Sequence, residues 1–430
     1  MLLLPLLAAA LHAKSLPDRR DGWLGGSHIP AAPQNFFSKQ FLSQQAADII
    51  RFYDGRVRDE KGGFFQNLYI NGTRFDDSLR QIVSSARMVV NFMHAGMLLG
   101  RQDLIELGVH GRDFVEKVHY VPSRDEYAFT VIDYKPADMT QQAYGYAFIL
   151  AMHAASRAAG AASDDSDINR IFALLERKFF LGEEQGAYFN TIFANGTQDS
   201  YRGQNANMHL CEALIAAYEA TNNITFLDRA ELLAETFAVK LARKAGGFVW
   251  EHYTKDWQVD WTYNIDNPSN IYRPWGFQPG HQMEWSKNLL NLNRHRPAPW
   301  KVRRAEELFN GAWNISWDEV YGGLVYGFAP NRTWANLGDW AKGKYFWVQG
   351  ETFATAALLY NTTGNPSYVE RYVDLWHYVW SNWVDHKYGA WLSFNLTRDN
   401  QLINNEKASA GAKCDYHSFM ACISALVAFP

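Results

Sequence analysis

The sequence predicts an all-α fold, an (α/α)6 barrel with short β-hairpins at one rim. Two observations lead to this prediction. Clusters of glycine and aromatic residues recur at intervals of roughly 60 to 76 residues, which is long enough for two helices and a loop. The segments between the clusters carry apolar residues at helical spacing. The six clusters are Gly62-Gly63-Phe64-Phe65, Glu126-Tyr127-Ala128-Phe129, Gly186-Ala187-Tyr188-Phe189, Gly246-Gly247-Phe248-Val249-Trp250, Gly322-Gly323-Leu324-Val325-Tyr326 and Gly389-Ala390-Trp391-Leu392.

The helical pattern begins after the first cluster, where Ile82, Ala86, Val89 and Met93 fall on one face of residues 81–99. The same spacing predicts helices at residues 208–220, 226–242, 281–292, 300–312, 352–360 and 367–382. Each cluster is interpreted as a turn that enters a short strand. A parallel α/β sheet is excluded because apolar β-branched runs before the helices are missing. We therefore expect one domain over residues 35–430, with the hairpins gathered around a cavity at one end.

The composition is that of an ordinary globular protein. A net charge of -4 and a pI of about 6.4 give no electrostatic reason to expect nucleic acid or an anionic membrane as a partner. Aromatic residues make up 15% of the chain, with 16 Trp. They are interpreted either as a large aromatic core or as ring faces in a cleft that stack on sugars.

The N-terminus and a set of sequons favour the secretory route. Residues 1–13 resemble a signal peptide, and residues 14–34 are interpreted as an N-terminal extension. Asn-x-Ser/Thr sequons favour a glycoprotein that is secreted or held in the secretory lumen, and they begin at Asn71, Asn195, Asn223, Asn314, Asn331, Asn361 and Asn395. A cytoplasmic location is the alternative, because the chain has only three Cys. We expect one of them, Cys211, to be buried and inert.

Two short stretches each place a His three residues before a Glu. They are His209 with Glu212 and His281 with Glu284, and positions i and i+3 of a helix share a face. Imidazole titrates near neutral pH, and a carboxylate can hold its tautomer or raise its basicity. The two pairs therefore indicate proton-transfer chemistry. Other His residues on apolar helices are expected to belong to the core, namely His94, His110 and His153.

Six segments occur in the order in which a known family carries them. They are Ser85-Ala86-Arg87-Met88, Tyr144-Gly145-Tyr146-Ala147-Phe148, Arg202-Gly203-Gln204-Asn205-Ala206-Asn207-Met208-His209, Pro279-Gly280-His281-Gln282-Met283-Glu284-Trp285, Trp347-Val348-Gln349-Gly350-Glu351 and Lys413-Cys414-Asp415-Tyr416-His417. On these segments the chain resembles the N-acylglucosamine 2-epimerase family, which includes the related D-mannose isomerases and cellobiose 2-epimerases. Members fold as (α/α)6 barrels. Gly145 and Tyr146 depart from residues common in relatives, and the last segment mixes features of two subtypes, so the substrate and the subtype stay open.

The resemblance implies roles for individual residues. His281 and His417 correspond to the acid/base pair of the family. Arg87 corresponds to the Arg of the first inner helix, and His209 to the His of the Asn-x-Asn-Met-His segment. Sugar contacts are implied for Tyr144, Asn205, Arg273, Trp347 and Glu351. Relatives are monomers or dimers, so a monomer or homodimer is expected.

An aldose and a ketose, or two C2 epimers, interconvert through a cis-enediolate whose oxyanion the forked donors of Arg87 would stabilise. His281, oriented by Glu284 one helical turn on, is the expected base, and His417 is the second acid/base. His209 would shuttle a hydroxyl proton or help to open the ring. Return of the proton to C1 gives the ketose, and return to C2 from the opposite face gives the epimer. We expect no cofactor or metal, and an unphosphorylated sugar as the partner, because no Gly-rich phosphate cradle is present.

Three other functions stay open. A metal-dependent enzyme would use the two His-x-x-Glu segments, although di-metal bundles carry the reverse order, Glu-x-x-His. A glycoside hydrolase would need two carboxylates that face each other across the sugar, for which Glu284, Glu351 and Asp415 are available. A non-catalytic sugar-binding module would use the aromatic hairpins.

Single residues also have structural interpretations. Arg87 is either a ligand of the substrate or a member of a buried ion pair. Trp347 is either a sugar contact or part of the barrel core. Glu351 is either a sugar contact or only the partner of Lys344.

Overall fold

The computed structural model describes residues 30–270 and 272–429, and most of these residues are helical. The predicted signal peptide and most of the predicted N-terminal extension lie outside the described residues. In chain order the helices are α1 (Lys39–Tyr53), α2 (Ile82–Leu99), α3 (Gln102–Phe114), α4 (Ala143–Ala158), α5 (Ser166–Lys178), α6 (Gln204–Thr221), α7 (Ile224–Ala234), α8 (Ala242–Lys244), α9 (Pro279–His295), α10 (Pro299–Ser316), α11 (Asp339–Lys342), α12 (Phe346–Thr363), α13 (Ser367–Asn382) and α14 (Tyr416–Ala428).

The long helices form two concentric rings. In the inner ring, α2, α4, α6, α9, α12 and α14 each pack against the next, and α14 closes on α2. The outer ring consists of α1, α3, α5, α7, α10 and α13, each of which packs against inner helices. The predicted (α/α)6 barrel is therefore confirmed.

The inner helices follow from the local sequence as well as from packing. At the start of α2, the side-chain oxygen of Gln81 accepts hydrogen bonds from the backbone N–H groups of Val83 and Ser84, which satisfies donors left free at a helix start. The helix ends at Gly100, which adopts a left-handed conformation with φ of 64°. The predicted bounds agree closely here, and those of α13 are the same as predicted.

Two predicted helices differ from the structure. The helix predicted at residues 352–360 is half as long as the observed α12, and the other differs in kind. Residues 226–242 were expected to form a single α-helix, whereas α7 ends at Ala234 and a π-helix follows over Glu235–Leu241 before α8. A π-helix has i→i+5 hydrogen bonds, and apolar spacing does not distinguish one such turn from the α-helix around it. A second π-helix, Val115–His119, extends α3.

Short strands form small antiparallel sheets between the helices. In chain order they are β1 (Asn67–Tyr69), β2 (Arg74–Asp76), β3 (Leu79–Gln81), β4 (Tyr120–Val121), β5 (Glu126–Tyr127), β6 (Thr130–Ile132), β7 (Lys135–Asp138), β8 (Gln141–Gln142), β9 (Thr191–Ile192), β10 (Arg202–Gly203), β11 (His252–Tyr253), β12 (Lys344–Tyr345), β13 (Asn395–Leu396) and β14 (Glu406–Ala408). The three-stranded sheets have the orders β14-β1-β2 and β3-β6-β7, and the pairs are β4-β5, β8-β9, β10-β11 and β12-β13. Pairing of Leu68 with Ala408 joins the first hairpin to the last.

The strands form a rim at the end of the barrel where the inner helices begin. β3, β8, β10 and β12 each lead directly into an inner helix, so the connection from an outer helix to the next inner helix passes through the rim. Several predicted clusters form single bridges rather than longer strands, for example Trp317 with Leu324. Their glycines make the turns: Gly323 has φ of 72°, and an added Cβ would lie 2.3 Å from the ring of Tyr378.

Apolar side chains between the two rings form the main core. Part of the Trp-rich composition is explained here, because five of the 16 Trp are fully buried: Trp250, Trp285, Trp376, Trp383 and Trp391. α2 is long and apolar enough to cross a membrane, but 83% of it is buried inside the barrel, as expected for a core helix. The predicted burial of Cys211 is confirmed, together with that of the other two cysteines.

Candidate active site

The first turns of the inner helices surround a cavity of about 510 Å³ that opens at the hairpin rim. We call it the rim cavity. The inner-helix residues that line it stand at the second, third or sixth position of their helices, and these positions lie about one turn apart on the same face. Nine of the ten residues predicted for the site line the rim cavity: Arg87, Tyr144, Asn205, His209, Arg273, His281, Glu284, Trp347 and His417.

Arg87 lies in an aromatic surround at the wall of the rim cavity. Its Nη2 donates a hydrogen bond to the hydroxyl of Tyr144 at 3.0 Å. Its guanidinium carbon is 4.1 Å from the ring centroid of Phe148 and 5.1 Å from that of Tyr416. Within the described residues its Nε has no hydrogen-bond partner. These contacts are those of a buried cation that can still donate to an anion, rather than those of a structural ion pair.

His417 is held by a carboxylate behind it. Its Nδ1 lies 2.7 Å from Oε1 of Glu351, whose other oxygen accepts a hydrogen bond from Lys287 at 2.6 Å. An ionised Glu351 can only accept, so Nδ1 of His417 donates and Nε2 is left as the basic nitrogen. Burial, followed by the charge of Arg87, lowers the pKa of His417 well below its usual value. The imidazole is therefore neutral and able to accept a proton.

His281 has a carboxylate partner that the sequence did not predict. Its Nδ1 lies 2.8 Å from Oε2 of Glu251, and the same oxygen accepts a hydrogen bond from Gln204 at 2.9 Å. The Gln204 amide is itself fixed by the indole N–H of Trp285 at 2.7 Å. The expectation that Glu284 orients His281 is wrong. Glu284 does share a helix face with His281, but its carboxyl group lies beside two other imidazoles.

His209 is the third imidazole at the rim cavity. Its Nδ1 lies 3.3 Å from Oε2 of Glu212, one turn on, as the i,i+3 spacing predicts. Its ring centroid is 6.3 Å from that of His417. Burial lowers the pKa of His209 to about 4, so this imidazole is also neutral near neutral pH.

Glu284 lies between two of the imidazoles. Its Oε1 is 3.9 Å from Nε2 of His209 and 3.8 Å from Nδ1 of His417, and its Oε2 has no hydrogen-bond partner within the described residues. Burial, reinforced by the charge of Glu351, raises the pKa of Glu284 well above its usual value. A protonated carboxyl group at this position can donate a hydrogen bond or a proton into the rim cavity.

Trp347 separates the two imidazoles predicted as the acid/base pair. Its ring centroid is 5.0 Å from that of His281 and 6.0 Å from that of His417. Gly280 makes room for the indole, since a Cβ at Gly280 would lie 2.2 Å from it. His281 and His417 stand on helices α9 and α14, on either side of α12, which carries Trp347. The two rings therefore reach one cavity from different walls.

Arg273 lies at the mouth of the rim cavity, on the loop after β11. Its guanidinium carbon is 3.8 Å from the ring centroid of Tyr201, and its Nη1 donates to the hydroxyl of Tyr263 at 3.0 Å. Two further predicted residues lie at the starts of inner helices. The hydroxyl of Tyr144 accepts the hydrogen bond from Arg87, and Oδ1 of Asn205 has no hydrogen-bond partner within the described residues. These side chains offer polar groups around the three imidazoles.

Glu351 is the predicted site residue that the structure does not place on the cavity wall. It is 1% exposed and lies behind His417, where it accepts from the imidazole and from Lys287. The alternative that Glu351 only pairs with Lys344 is wrong as well, because Lys344 pairs with Asp318. Glu351 therefore supports His417 and does not contact the sugar. This role depends on the packing between helices, which the spacing of residues in the sequence does not predict.

The same positions bear on the glycoside hydrolase alternative. Of its three predicted carboxylates, only Glu284 lines the rim cavity. Asp415 is fully buried and accepts hydrogen bonds from Tyr53, Lys413 and Ser418. The required pair of carboxylates facing each other across a sugar is therefore not formed by Glu284, Glu351 and Asp415.

Sequence reasoning missed Glu251, Lys287 and Gln204. Glu251 directly follows the fourth Gly-aromatic cluster, and Gln204 lies inside one of the motifs that carry the family resemblance. Both residues could therefore have been found from their positions next to or within these motifs. Lys287 stands one turn after Glu284 on α9, where a charged residue on a buried face is the available sign. Its partners come from two other helices and could not be identified from the sequence.

Among the residues that the structure describes, two groups of side chains have the spacing of a metal site. In each group the potential ligand atoms lie within 4.8 Å of one another, and the groups are His209, Glu212 and Glu284, and Glu284, Glu351 and His417. The ammonium of Lys287 already lies 3.1 Å from Glu212 and 2.6 Å from Glu351. A second cation would compete with it for the same carboxylates.

A helical barrel that gathers imidazoles, each held by a carboxylate, around a buried guanidinium defines a class of enzymes that move protons on small polar substrates. The family model described as N-acylglucosamine 2-epimerase (GlcNAc 2-epimerase) matches residues 63–421. A D-mannose isomerase from Marinomonas mediterranea is 39% identical over 91% of this chain and 98% of its own length. The chain belongs to the N-acylglucosamine 2-epimerase family and is a sugar isomerase or epimerase.

Solved structures agree with this assignment. A crystal structure of D-mannose isomerase has a TM-score of 0.88 and 39% sequence identity, and the match covers 92% of this chain and 99% of that one. The cellobiose 2-epimerase from Spirochaeta thermophila has a TM-score of 0.78 at 18% identity, covering 92% of this chain and 99% of that one. At that identity the second likeness shows the fold alone.

Proposed function

We propose that the protein is an aldose–ketose isomerase that converts free D-mannose to D-fructose through a cis-enediolate. One observation carries the chemistry: His281 and His417 reach the rim cavity from helices on either side of Trp347, each with its Nδ1 on a carboxylate. Mannose is favoured among the sugars by the relative named D-mannose isomerase, which is 39% identical over nearly its full length.

The proposed first step removes the proton from C2 of the open-chain aldose. The Nε2 of His281 accepts this proton, while the Nδ1 side is anchored by Glu251. The electrons move to the C1 carbonyl oxygen and give the enediolate. Arg87 donates to the developing oxyanion, and its burial strengthens that interaction.

In the second step the protonated His281 returns a proton to C1 from the same face and gives the ketose. In this scheme His417 moves the hydroxyl proton from the oxygen on C2 to the oxygen on C1, since its neutral imidazole can both accept and donate a proton. His209 and the protonated carboxyl group of Glu284 lie beside His417, and both are proposed to assist ring opening. Return of the proton to C2 from the opposite face would instead give the C2 epimer.

The rim cavity suits a free sugar. Its volume of about 510 Å³ falls within the range of roughly 300–1,000 Å³ that is common for small-molecule sites. Both cavity-lining guanidinium groups are engaged with tyrosine hydroxyls, Arg87 with Tyr144 and Arg273 with Tyr263. Arg273 also pairs with Asp199 at 3.6 Å, and Arg87 is assigned to the enediolate oxyanion. A neutral polar substrate is therefore favoured over a phosphate ester.

The test is proton NMR of the enzyme in heavy water with D-mannose, D-glucose, an N-acyl hexosamine and cellobiose. We expect D-mannose to give D-fructose with deuterium at C1. Formation of deuterated D-glucose from D-mannose would instead identify the enzyme as a C2 epimerase. Turnover of cellobiose but not of D-mannose would reject the proposed substrate.

We also propose, from the glycosylation sequons, that the protein passes through the secretory pathway. Asn71 and Asn195 are exposed at hairpin turns, and each accepts hydrogen bonds from the Thr two residues on, Thr73 and Thr197. Expression of the full chain in a eukaryotic cell tests this. We expect the protein in the medium, with a mass that falls on treatment with an amidase that removes N-linked glycans. An unglycosylated protein retained in the cytosol would contradict it.

A further inference from the structure

Five side chains, of which Glu212 is half-buried and the others are buried, connect two of the imidazoles below the rim cavity. His209 contacts Glu212 at 3.3 Å, Glu212 contacts Lys287 at 3.1 Å, Lys287 contacts Glu351 at 2.6 Å, and Glu351 contacts His417 at 2.7 Å. We call these five residues the bridged chain. Lys287 is its centre, and its ammonium joins the two carboxylates. His281 is not part of the chain, because its carboxylate is Glu251.

We propose that Lys287 is a positioning residue with two effects on His417. Its ammonium keeps Glu351 ionised, so that Nδ1 of His417 donates to Glu351 and the ring is correctly oriented, and its positive charge keeps the His417 ring neutral for proton transfer. Lys287 does not line the rim cavity and acts only through Glu351 and Glu212. The inference deepens the proposed function and rests on it for the role of His417, but its test applies to whichever sugar the enzyme turns over.

Exposure decides which carboxylate depends more on Lys287. The side chains of Lys287 and Glu351 are 5% and 2% exposed, whereas that of Glu212 is 22% exposed. Water therefore helps to stabilise the charge of Glu212 but scarcely reaches Glu351. Since an opposite charge in a dry site favours ionisation most strongly, Glu351 loses more when Lys287 is removed.

The directions of the pKa shifts agree with this geometry. Burial alone would disfavour the charged form of Lys287, but Glu212 and Glu351 outweigh it and raise the pKa of Lys287 well above its usual value. Burial raises the pKa of Glu351, and the Lys287 ammonium opposes that rise. The titratable groups that act on Lys287 come from α6, α9, α12 and α14, and they are Glu212, Glu284, Glu351, Tyr416 and His417.

Removing the ammonium gives a signed prediction for pH dependence. In Lys287→Met the pair formed by Glu351 and His417 binds a proton more readily, whichever of the two takes it, because a neighbouring positive charge is gone. The acidic limb of the kcat profile should therefore move to higher pH. In Glu212→Gln a neighbouring negative charge is gone, so the pair binds a proton less readily and the limb should move to lower pH.

The experiment measures kcat and KM against pH for the full chain and its variants. For Lys287→Met we expect the acidic limb to rise by about one unit or more, a fall in kcat of about tenfold to a hundredfold, and a KM within about threefold of the wild type. Lys287→Arg keeps the cation and should keep the limb near its original pH. For Glu212→Gln a shift downward of about half a unit is expected.

Lys301→Met is the matched control. Lys301 is fully buried on the outer helix α10 and pairs with Glu231 at 2.5 Å, so its loss removes a buried ion pair without touching the bridged chain. Its kcat profile should match the wild type. If Lys287→Met folds and keeps the wild-type limb, or if Glu212→Gln moves the limb upward, the proposal is wrong.

Lys287→Met leaves two carboxylates without their cation, and poor folding of this variant would not remove the test. Lys287→Arg and Glu212→Gln each keep a charged partner and then decide it. A limb that moves by a unit in Lys287→Arg, or that moves upward in Glu212→Gln, overturns the role assigned to Lys287. If the wild type turns over no sugar, the proposed function fails instead. The tautomers of His417 seen by ¹⁵N NMR then report on Lys287 independently.

Discussion

The two ends of the barrel are built from the same helices but differ in their connections and in their cavities. At the rim, long segments with hairpins lead from outer to inner helices, for example residues 54–81 and 383–415. At the far end, inner helices turn directly into outer ones, as between α2 and α3 or between α12 and α13. Left-handed residues make these turns short, with φ of 64° at Gly100 and 70° at Gly364.

The cavities differ in the same sense. The rim cavity of about 510 Å³ is lined by imidazole, guanidinium, carboxyl and hydroxyl groups. The cavity at the far end is about 140 Å³, and its wall combines eight alanines and other apolar residues with charged groups such as Glu219 and Arg294. The far cavity is below the size range of about 300 Å³ and more that is typical of ligand sites. Long connections supply polar groups and space, and short connections leave little more than the gaps between helices.

His209 lines both cavities, with Glu212 and Lys287 on the far side. The bridged chain therefore marks the boundary between the two ends. Chemistry is expected on the rim side of this boundary, and support from its far side. Substitutions of matched type at the two ends can break or sharpen this division.

The largest effect is expected for His417→Asn, which removes a proton acceptor from the rim cavity. General acid–base catalysis by a positioned side chain contributes about 10²–10⁴-fold, so kcat on D-mannose should fall about a thousandfold with a smaller change in KM. Steady-state assays with the folded variant measure this.

The control for His417→Asn is His153→Asn. His153 is as deeply buried as His417, at 2% exposed, and contacts Glu116 at 2.9 Å, but it lines neither cavity. Its loss should lower stability and leave kcat within about threefold. Equal losses of kcat in the two variants would mean that burial, and not position in the rim cavity, makes these imidazoles matter.

The next effect is expected for Arg87→Met, which removes the cation beside the developing oxyanion. Loss of one such group costs about a hundredfold in kcat. Arg87→Lys should recover part of this, because it restores the charge without the fork of donors. The control is Arg80→Met at the rim, where Arg80 pairs with Asp59 at 2.8 Å outside the cavity. A normal kcat in Arg87→Met would remove Arg87 from the chemistry.

These residues also show how much of the fold and of the site could be predicted from the sequence. Helices such as α2 and α13 were predictable because their apolar residues repeat with the helical period, and cavity-lining side chains near the helix starts were predictable from short motifs. The partner of each imidazole was not. His281 shares a helix face with Glu284 yet uses Glu251, which comes from a rim segment 30 residues earlier.

Distance along the chain explains the remaining errors. Lys287 and Glu351 are 64 positions apart, and Glu351 and His417 are 66 apart. Such contacts exist only after three helices have packed, and each carboxylate had several cationic or imidazole partners available in the sequence. Local spacing predicts which face a residue occupies, whereas the packing of neighbouring helices decides which partner it meets.

A third prediction compares the pH dependence of stability at the two ends. At the rim, His119 is fully buried and its Nδ1 lies 2.9 Å from the carbonyl of Ala128. Burial lowers the pKa of His119 to about 4, whereas in the unfolded chain it is about 6.5. The unfolded state thus binds the extra proton first, and stability falls as the pH falls through this window. His119→Asn should remove about 2 kcal/mol of the loss between about pH 7 and about pH 5.

His94→Asn is the counterpart at the far end. Burial also lowers the pKa of His94, but its side chain is half-buried at the far cavity and its Nδ1 contacts the carbonyl of Val90 at 2.9 Å. Water reaches this imidazole, so its contribution to the pH dependence should be smaller. Urea unfolding at the two pH values measures both variants. A steeper pH dependence from His94 than from His119 would reverse the expected order.

The smallest effects are expected when both cavities are narrowed by the same substitution. Ala412 is half-buried at the rim cavity, and Ala216 is half-buried at the far cavity. In Ala412→Leu the added carbons occupy space needed by the sugar, so KM should rise about tenfold. In Ala216→Leu they fill a gap between inner helices, so KM should stay within about twofold and stability should rise by about 0.5–1 kcal/mol. If Ala216→Leu raised KM as much as Ala412→Leu, the far end would take part in binding, and the division at the bridged chain would have to be abandoned.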